Sequence, residues 1–167
     1  MFSIRFADIG DISSIQEIAG VTWPNTYVGI ISSEQIEYML GWMYSTEKIK
    51  ASIEDPDQAF LIIELDDKMV GFAGIEHRYS EKPITRIHKL YVLPETQGTG
   101  AGKALFEAVV TQALLNDSEI LHLNVNKANK AVSFYEYLGF SIYDTEILDI
   151  GNGYVMDDYI MTKKITH

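Results

Sequence analysis

Cysteine is absent from all 167 residues. That absence excludes disulfides, thiolate metal sites and a cysteine-borne acyl-enzyme. Positive charge is also scarce. The 13 Lys and Arg stand against 24 Asp and Glu, a formal net charge of -11 at pH 7. No nucleic-acid partner is expected, because such binding needs a basic footprint; the acidity suits a cationic partner or serves solubility alone. The four histidines are scattered with no His-x-x-x-His pair, so no metal is expected. No apolar run reaches membrane length and no secretory signal opens the chain, which predicts a cytoplasmic protein with no membrane contact. Linkers, repeats and low-complexity tracts are missing too. At 47% hydrophobic and 22% charged, residues 1–167 read as a single soluble domain with its own core.

What is present is a regular succession of patterns. Residues 2–6 alternate as a strand, and Asp8 or Asp11 can cap a helix whose apolar face is Ile12, Ile15, Ile18 and Ala19. Residues 23–29, with Pro24 and Gly29, predict a break. Ser32 and Gln35 form a capping-box pattern for a second helix, and Thr46 opens a short third one. Residues 59–63 and 69–75 read as a hairpin turning at Asp66-Asp67-Lys68, and residues 86–93 as a fourth strand. A helix over 100–115 buries Leu105, Val109 and Ala113 or Leu114. Strand 120–125, a helix closed by Gly139, and a last hairpin turning at Gly151-Asn152-Gly153 complete the order. The fold class is α/β (α+β), with a mixed, mostly antiparallel sheet of seven strands and about four helices around it.

The stretch from Leu90-Tyr91-Val92 through Pro94 to Gln97-Gly98-Thr99-Gly100-Ala101-Gly102-Lys103 is the most informative. A strand stops at a proline, a glycine turn succeeds it, and a helix begins. Glycines at alternate positions let backbone N–H groups converge, and a helix N-terminus adds its positive dipole end, so a phosphate-bearing ligand is predicted. The spacing excludes two phosphate loops. A Walker loop needs glycine at 97 and Ser or Thr at 104, where Gln97 and Ala104 stand; a dinucleotide fingerprint fails because Lys103 occupies the last glycine position.

Gln97, Gly100 and Gly102 give Q-x-x-G-x-G. Placed after this strand, the motif resembles the acyl-CoA loop of the GCN5-related N-acetyltransferases, the GNAT superfamily. A second stretch, Asn129, Ala131, Phe134, Tyr135, Gly139 and Phe140, is similar to that family's N-x-x-A-x-x-F-Y-x-x-x-G-F pattern, with Ala131 one position earlier than usual. The resemblance spans the whole element order. At the ends, Thr26-Tyr27 before a Ser-capped helix and the closing run from Met156 to Lys163 resemble polyamine acetyltransferases of the PaiA type.

The resemblance implies acetyl transfer from acetyl-CoA directly to a primary amine, with no acyl-enzyme and no metal. It places acetyl-CoA against Leu90, Tyr91, Val92, residues 97–103, Asn129 and Tyr135. An alkyl ammonium has a pKa near that of Lys, about 10.4, and must lose a proton before it attacks. His88 is a candidate base, because simple alternation puts it on the strand face of Leu90 and Val92, and Glu76 is a second. The plain alternative for His88 is a packed, hydrogen-bonded histidine. A backbone N–H near Leu90 or Tyr91 is the expected oxyanion donor. Tyr135 holds the family's general-acid place, to protonate the CoA thiolate; packing alone is its alternative. Asn129 can bond the pantetheine arm or start a helix, and Lys103 can face phosphate or solvent.

A polyamine such as spermidine or spermine is the favoured acceptor, and would need carboxylates and aromatic faces. Trp23, Tyr27, Glu76 and Tyr159 are the acceptor candidates, with Tyr79, Asp157 and Asp158 also eligible. Acetylation of a protein lysine or N-terminus is a rival reading, and a non-catalytic acyl-CoA sensor is a rival of another class. A homodimer is compatible with the fold, although no interface is legible.

Overall fold

The structure, a computed structural model, describes residues 1–166; His167 lies outside the described residues. Strand β1 (Phe2–Phe6) leads through a turn in which Asp8 and Asp11 cap each other's backbone N–H groups, and helix α1 (Ile12–Tyr27) comes next. The helix runs straight through Trp23 and Pro24, where the sequence predicts a break. Proline inside a helix costs about 3 kcal/mol, but burying an aromatic side chain contributes about 1.5–3 kcal/mol. Continuing the helix buries both Trp23 and Tyr27, at 2% and 5% exposure, which offsets that cost. Helix α2 (Ser33–Met43) is capped by Ser32, whose hydroxyl accepts from the Gln35 N–H at 3.1 Å. The reciprocal half of the predicted capping box is missing. Gln35 instead donates to the carbonyl of Val155 at 3.0 Å, tying the helix to the last strand. Helix α3 (Thr46–Glu54) is capped by Ser45.

Strands β2 (Gln58–Leu65) and β3 (Lys68–Glu76) form the expected hairpin, succeeded by β4 (Ile84–Val92) and helix α4 (Ala101–Leu115). Then come β5 (Ile120–Asn126), helix α5 (Ala131–Tyr137), β6 (Ser141–Gly151) and β7 (Tyr154–Lys164). The seven strands lie in the order β1-β2-β3-β4-β5-β7-β6, and every neighbouring pair is antiparallel except β4 with β5. Among the described residues, five α-helices flank the sheet. Alternation along the strands feeds two cores. Leu61, Ile63, Ile75, Leu121 and Leu123 pack with α4 and α5 on one face; Phe60, Ile62 and Phe72 pack with Trp23 and the α1–α3 layer on the other.

Two irregularities in β4 interrupt the regular sheet. Gly74 pairs with Lys89 but the next residue, Ile75, pairs with Ile87, so His88 is an extra residue, a β-bulge. The parallel pairing of β4 with β5 covers only Ile84–Ile87 against Ile120–Leu123. Beyond it the two strands diverge, opening a gap at their C-terminal ends.

Candidate active site

The gap exposes backbone. The N–H of Leu93 bonds the carbonyl of Val70 at 2.8 Å, and from that phase the peptide groups of Leu90 and Val92 point away from β3 into the gap. Their side chains pack in the α4 core, while that of Tyr91 packs in the α1 core with Trp23 and Phe72. Whatever these three residues offer a ligand in the gap therefore comes chiefly from backbone.

After β4, Thr96 fastens a turn by donating to the Leu93 carbonyl at 2.7 Å. Gly98 and Gly100 come next at φ +83° and +92°, values that favour glycine. No side chain caps α4, and its first internal bond runs from the Ala104 N–H to the Gly100 carbonyl at 2.9 Å. The N–H groups of Ala101, Gly102 and Lys103 are thus left at a positive dipole end. The N–H groups of Gln97 and Thr99, by contrast, bond to Pro94 and Thr96 within the turn, so the cradle is narrower than the sequence predicts. The side chains of Gln97, Thr99 and Lys103 are exposed. A Cβ on Gly102 would lie 3.6 Å from the ring of Phe134, in ordinary contact with α5.

Across the gap stands the start of α5. Asn129 is buried and its side-chain oxygen accepts from the Ala131 N–H at 2.8 Å, which fixes the helix start and leaves the amide NH2 for other partners. Tyr135 is 7% exposed, packed against Phe134 and Phe140 with ring centroids 5.5 and 5.4 Å away. Burial, with a smaller contribution from Tyr27, pushes its phenol above the ordinary tyrosine range. Tyr27 and Tyr91 are likewise pushed up by burial, and Tyr27 lies beside both Tyr91 and Asn129. Three phenols from α1, β4 and α5 thereby gather with Asn129. No local motif announces the grouping.

On the α1–α3 face a row of polar side chains crosses the sheet. Glu76 Oε1 meets His88 Nε2 at 2.8 Å, and Arg86 Nε donates to His88 Nδ1 at 3.4 Å. Arg86 Nη1 also lies 3.0 Å from His122 Nδ1 and donates to Asn124 Oδ1 at 3.0 Å. Asn124 in turn donates to Glu146 at 3.0 Å and to Asp158 Oδ2 at 3.3 Å. Tyr79 stacks on His122, ring centroids 5.3 Å apart. Beside this row, a cavity of about 300 Å³ is lined by Gln58, Phe60, Glu76, His88 and Lys89 among others. Burial, reinforced by Lys48, lowers the Lys89 ammonium to about 8, and burial together with the nearby Arg86 lowers His122 to about 4. Burial also lowers His88, outweighing the hydrogen bond to Glu76.

The structure corrects the expectations drawn from the sequence for four residues. The bulge turns His88 toward Glu76, Phe60 and the cavity, the face opposite Leu90 and Val92. Both its ring nitrogens are engaged: with Nε2–H given to Glu76, the remaining lone pair at Nδ1 faces the Arg86 guanidinium, which leaves no free base. Trp23 is sealed in the core, donating to the Tyr44 hydroxyl at 3.1 Å, and presents no face to a ligand. Tyr159 packs on the α4 side, with Lys127 over its ring, and Asp157 pairs with that same lysine at 3.0 Å; neither shares the face of Tyr27, Glu76 and Asp158. Sequence reasoning missed Arg86, Asn124 and Glu146. The signal was available in β5, where His122, Asn124 and Asn126 alternate with Leu121, Leu123 and Val125 on a strand in the sheet's interior.

Comparison with known proteins identifies the family. A spermidine N(1)-acetyltransferase of Thermoplasma acidophilum is 30% identical over 168 residues, covering 96% of each chain. An uncharacterised N-acetyltransferase of Mycobacterium tuberculosis is 28% identical over 156 residues, 93% of this chain and 98% of that one. The crystal structure of the PaiA N-acetyltransferase from Thermoplasma acidophilum in complex with coenzyme A superposes with a TM-score of 0.86 at 29% identity, covering 98% and 99% of the two chains. The sequence pattern of the acetyltransferase (GNAT) domain matches residues 28–156. The chain belongs to the GNAT family of N-acetyltransferases.

Proposed function

We propose that this acetyltransferase uses acetyl-CoA as donor and a polyamine, spermidine or spermine, as acceptor. The donor reading is supported by three features that fit one elongated, phosphate-ended ligand: the uncapped N-terminus of α4 behind two left-handed glycines, the β4 peptide groups facing the gap, and the Asn129 amide across it, beside Tyr27. Bound acetyl-CoA supplies an activated acetyl thioester. The N–H groups of Ala101, Gly102 and Lys103 would hold its pyrophosphate, with no lysine required. Leu90 and Val92 would hold the pantetheine arm and the acetyl oxygen through backbone, with a preorganised N–H meeting charge as it develops.

Tyr135 would return a proton to the departing sulfur. Its burial keeps the phenol protonated well past neutrality, which suits an acid and not a base. Glu76 and Glu146, with Asp158, would hold the ammonium groups of the acceptor.

The single observation that carries the polyamine reading is the placement of these three carboxylates along one sheet face, with Asp158 near Tyr27. The spermidine N(1)-acetyltransferase relative supports it, and so does the net charge of -11. Lys48 and Lys89 border the cavity and would repel a cation there. Glu76 stands where that cavity meets the polar row, so the polyamine would run from Glu76 along the row toward Glu146 and Asp158, away from the two lysines, with its chain over Tyr79.

The test is CoA release from acetyl-CoA, read with a thiol reagent, across spermidine, spermine, simple alkylamines and peptides. The chain contains no cysteine and adds no thiol background. Turnover highest with spermidine or spermine is the expected result. Release with peptides alone would sink the polyamine reading, and no amine-dependent release would sink the amine reading altogether.

A further inference from the structure

Asp158 is the one residue among those described whose side chain keeps a buried polar atom, Oδ1, without a hydrogen-bond partner. The residue is 5% exposed, and its other oxygen receives only the 3.3 Å bond from Asn124. Leaving a carboxylate oxygen buried and unpaired costs about 1–3 kcal/mol or more, and the protein has a cation nearby that it does not use. Arg86 is spent on Asn124, His122 and His88. Position makes this unpaired oxygen informative. Asp158 lies opposite Asn126, the last residue of β5, where the strand runs on beyond its pairing with β4. It is on the α1 side of the sheet, and its charge reaches the phenol of Tyr27, which itself neighbours Asn129 and Tyr91. The charged and titratable groups around it are Arg86 from β4, Glu146 from β6, Asp157 on its own strand and Tyr27 from α1.

We propose that the Asp158 carboxylate receives the reacting ammonium of the acceptor and takes its proton. The inference rests on the amine acetyltransferase reading, and supplies the base that His88, with both nitrogens engaged, cannot be. Burial holds the Asp158 carboxyl above the usual carboxylate range, which brings its basicity nearer to that of the group it must deprotonate. The ammonium begins with three N–H protons. One passes to Asp158, freeing the lone pair that forms the N–C bond as the C–S bond breaks. A second leaves the nitrogen and ends, by way of Tyr135, on the sulfur of CoA, while the third remains as the amide N–H. The ammonium's positive charge and the carboxylate's negative charge cancel, and Asp158 then releases its proton to solvent.

Asp158→Asn keeps the shape and removes the base. For spermidine at pH 7, kcat/KM is expected to fall about 100-fold. A fluorinated ethylamine that is already neutral at pH 7 should lose less than about tenfold, because no proton need be removed from it. Acetyl-CoA affinity by calorimetry should stay at the wild-type value, and the melting temperature should not fall, since the variant removes a buried charge. Spermidine turnover within about threefold of wild type would overturn the proposal, and so would an equal loss for both amines, the mark of a structural role. Should the Asn variant fail to fold, the wild-type protein labelled with 13C-aspartate decides. Adding spermidine to the CoA-loaded protein should move the Asp158 carboxyl resonance, and an unmoved resonance overturns the base. If wild type releases no CoA with any amine, the amine reading itself falls; a working wild type with an equally active Asn variant removes Asp158 alone.

Discussion

Replacing Tyr135 by Phe separates chemistry from packing. The phenyl ring keeps its contacts with Phe134 and Phe140, and the only loss is a hydroxyl whose titration is perturbed by burial and by Tyr27. Stability should therefore change by less than about 1 kcal/mol, whereas Tyr135→Ala would open a cavity in the α4 core and cost about 3–5 kcal/mol. A positioned general acid contributes about 10²–10⁴ in rate. At about 1.36 kcal/mol per decade, the lower bound is a barrier increase of about 2.7 kcal/mol. The assay is initial-rate CoA release at saturating amine, beside calorimetric titration with acetyl-CoA and a thermal melt. A fall in kcat of about 100-fold with unchanged donor affinity is expected. Turnover within about threefold of wild type would remove Tyr135 from the mechanism, and a parallel loss of donor affinity would reduce it to a packing residue. Because the phenol is raised above its ordinary value, wild-type activity should also show no loss between pH 7 and pH 9 attributable to this group.

Gly100→Val places a β-branched residue at φ +92° at the mouth of α4. CoA binding by calorimetry should weaken about tenfold or more under conditions where the variant remains folded, and unchanged affinity would contradict the cradle. Gly71→Ala puts a Cβ 2.6 Å from the Tyr91 carbonyl oxygen, a backbone atom that cannot yield cheaply. Denaturant unfolding should show a loss of about 1–3 kcal/mol, and a loss below about 0.5 kcal/mol would mean that β3 and β4 separate more easily than the packing implies. Lys89 has a folded-state pKa of about 8, below its unfolded value of 10.5. The unfolded chain then binds more protons between those values, so stability should rise as pH climbs from 8 toward 10.5. Lys89→Met should flatten that rise in denaturation curves at pH 7.5 and 9.5 and be more stable than wild type at the lower pH; an identical slope would refute the buried-ammonium assignment.

The parts legible in the sequence are those whose physics is local. The glycine turn, the start of α4 and the closure of α5 by Gly139 each depend on a few consecutive residues, and each stands where those residues predict it. The misplacement of His88 has a different origin. Alternation counts residues, and a bulge adds one without changing residue type, so nothing between Arg86 and Leu90 discloses the turnover of face. Pro24 misleads for the opposite reason. Its local preference is real, and two aromatic burials elsewhere on α1 override it. The polar row from Glu76 to Asp158 joins five strands, and register between distant strands decides it. Asp158 could be named from composition as a carboxylate; its burial, its sheet face and its unpaired oxygen, which set it apart from its exposed neighbour Asp157, come from the fold.

The divergence of β4 from β5 makes the fourth strand of a seven-stranded sheet behave, over its last residues, like the margin of one. Amides at Leu90 and Val92 should exchange with deuterium far faster than those of Leu121 or Leu123 one strand away, although both sets lie at the centre of the molecule. A ligand laid along that line would act as a missing rung. Its binding should slow exchange there selectively, reporting occupancy from inside the sheet without any chemical turnover.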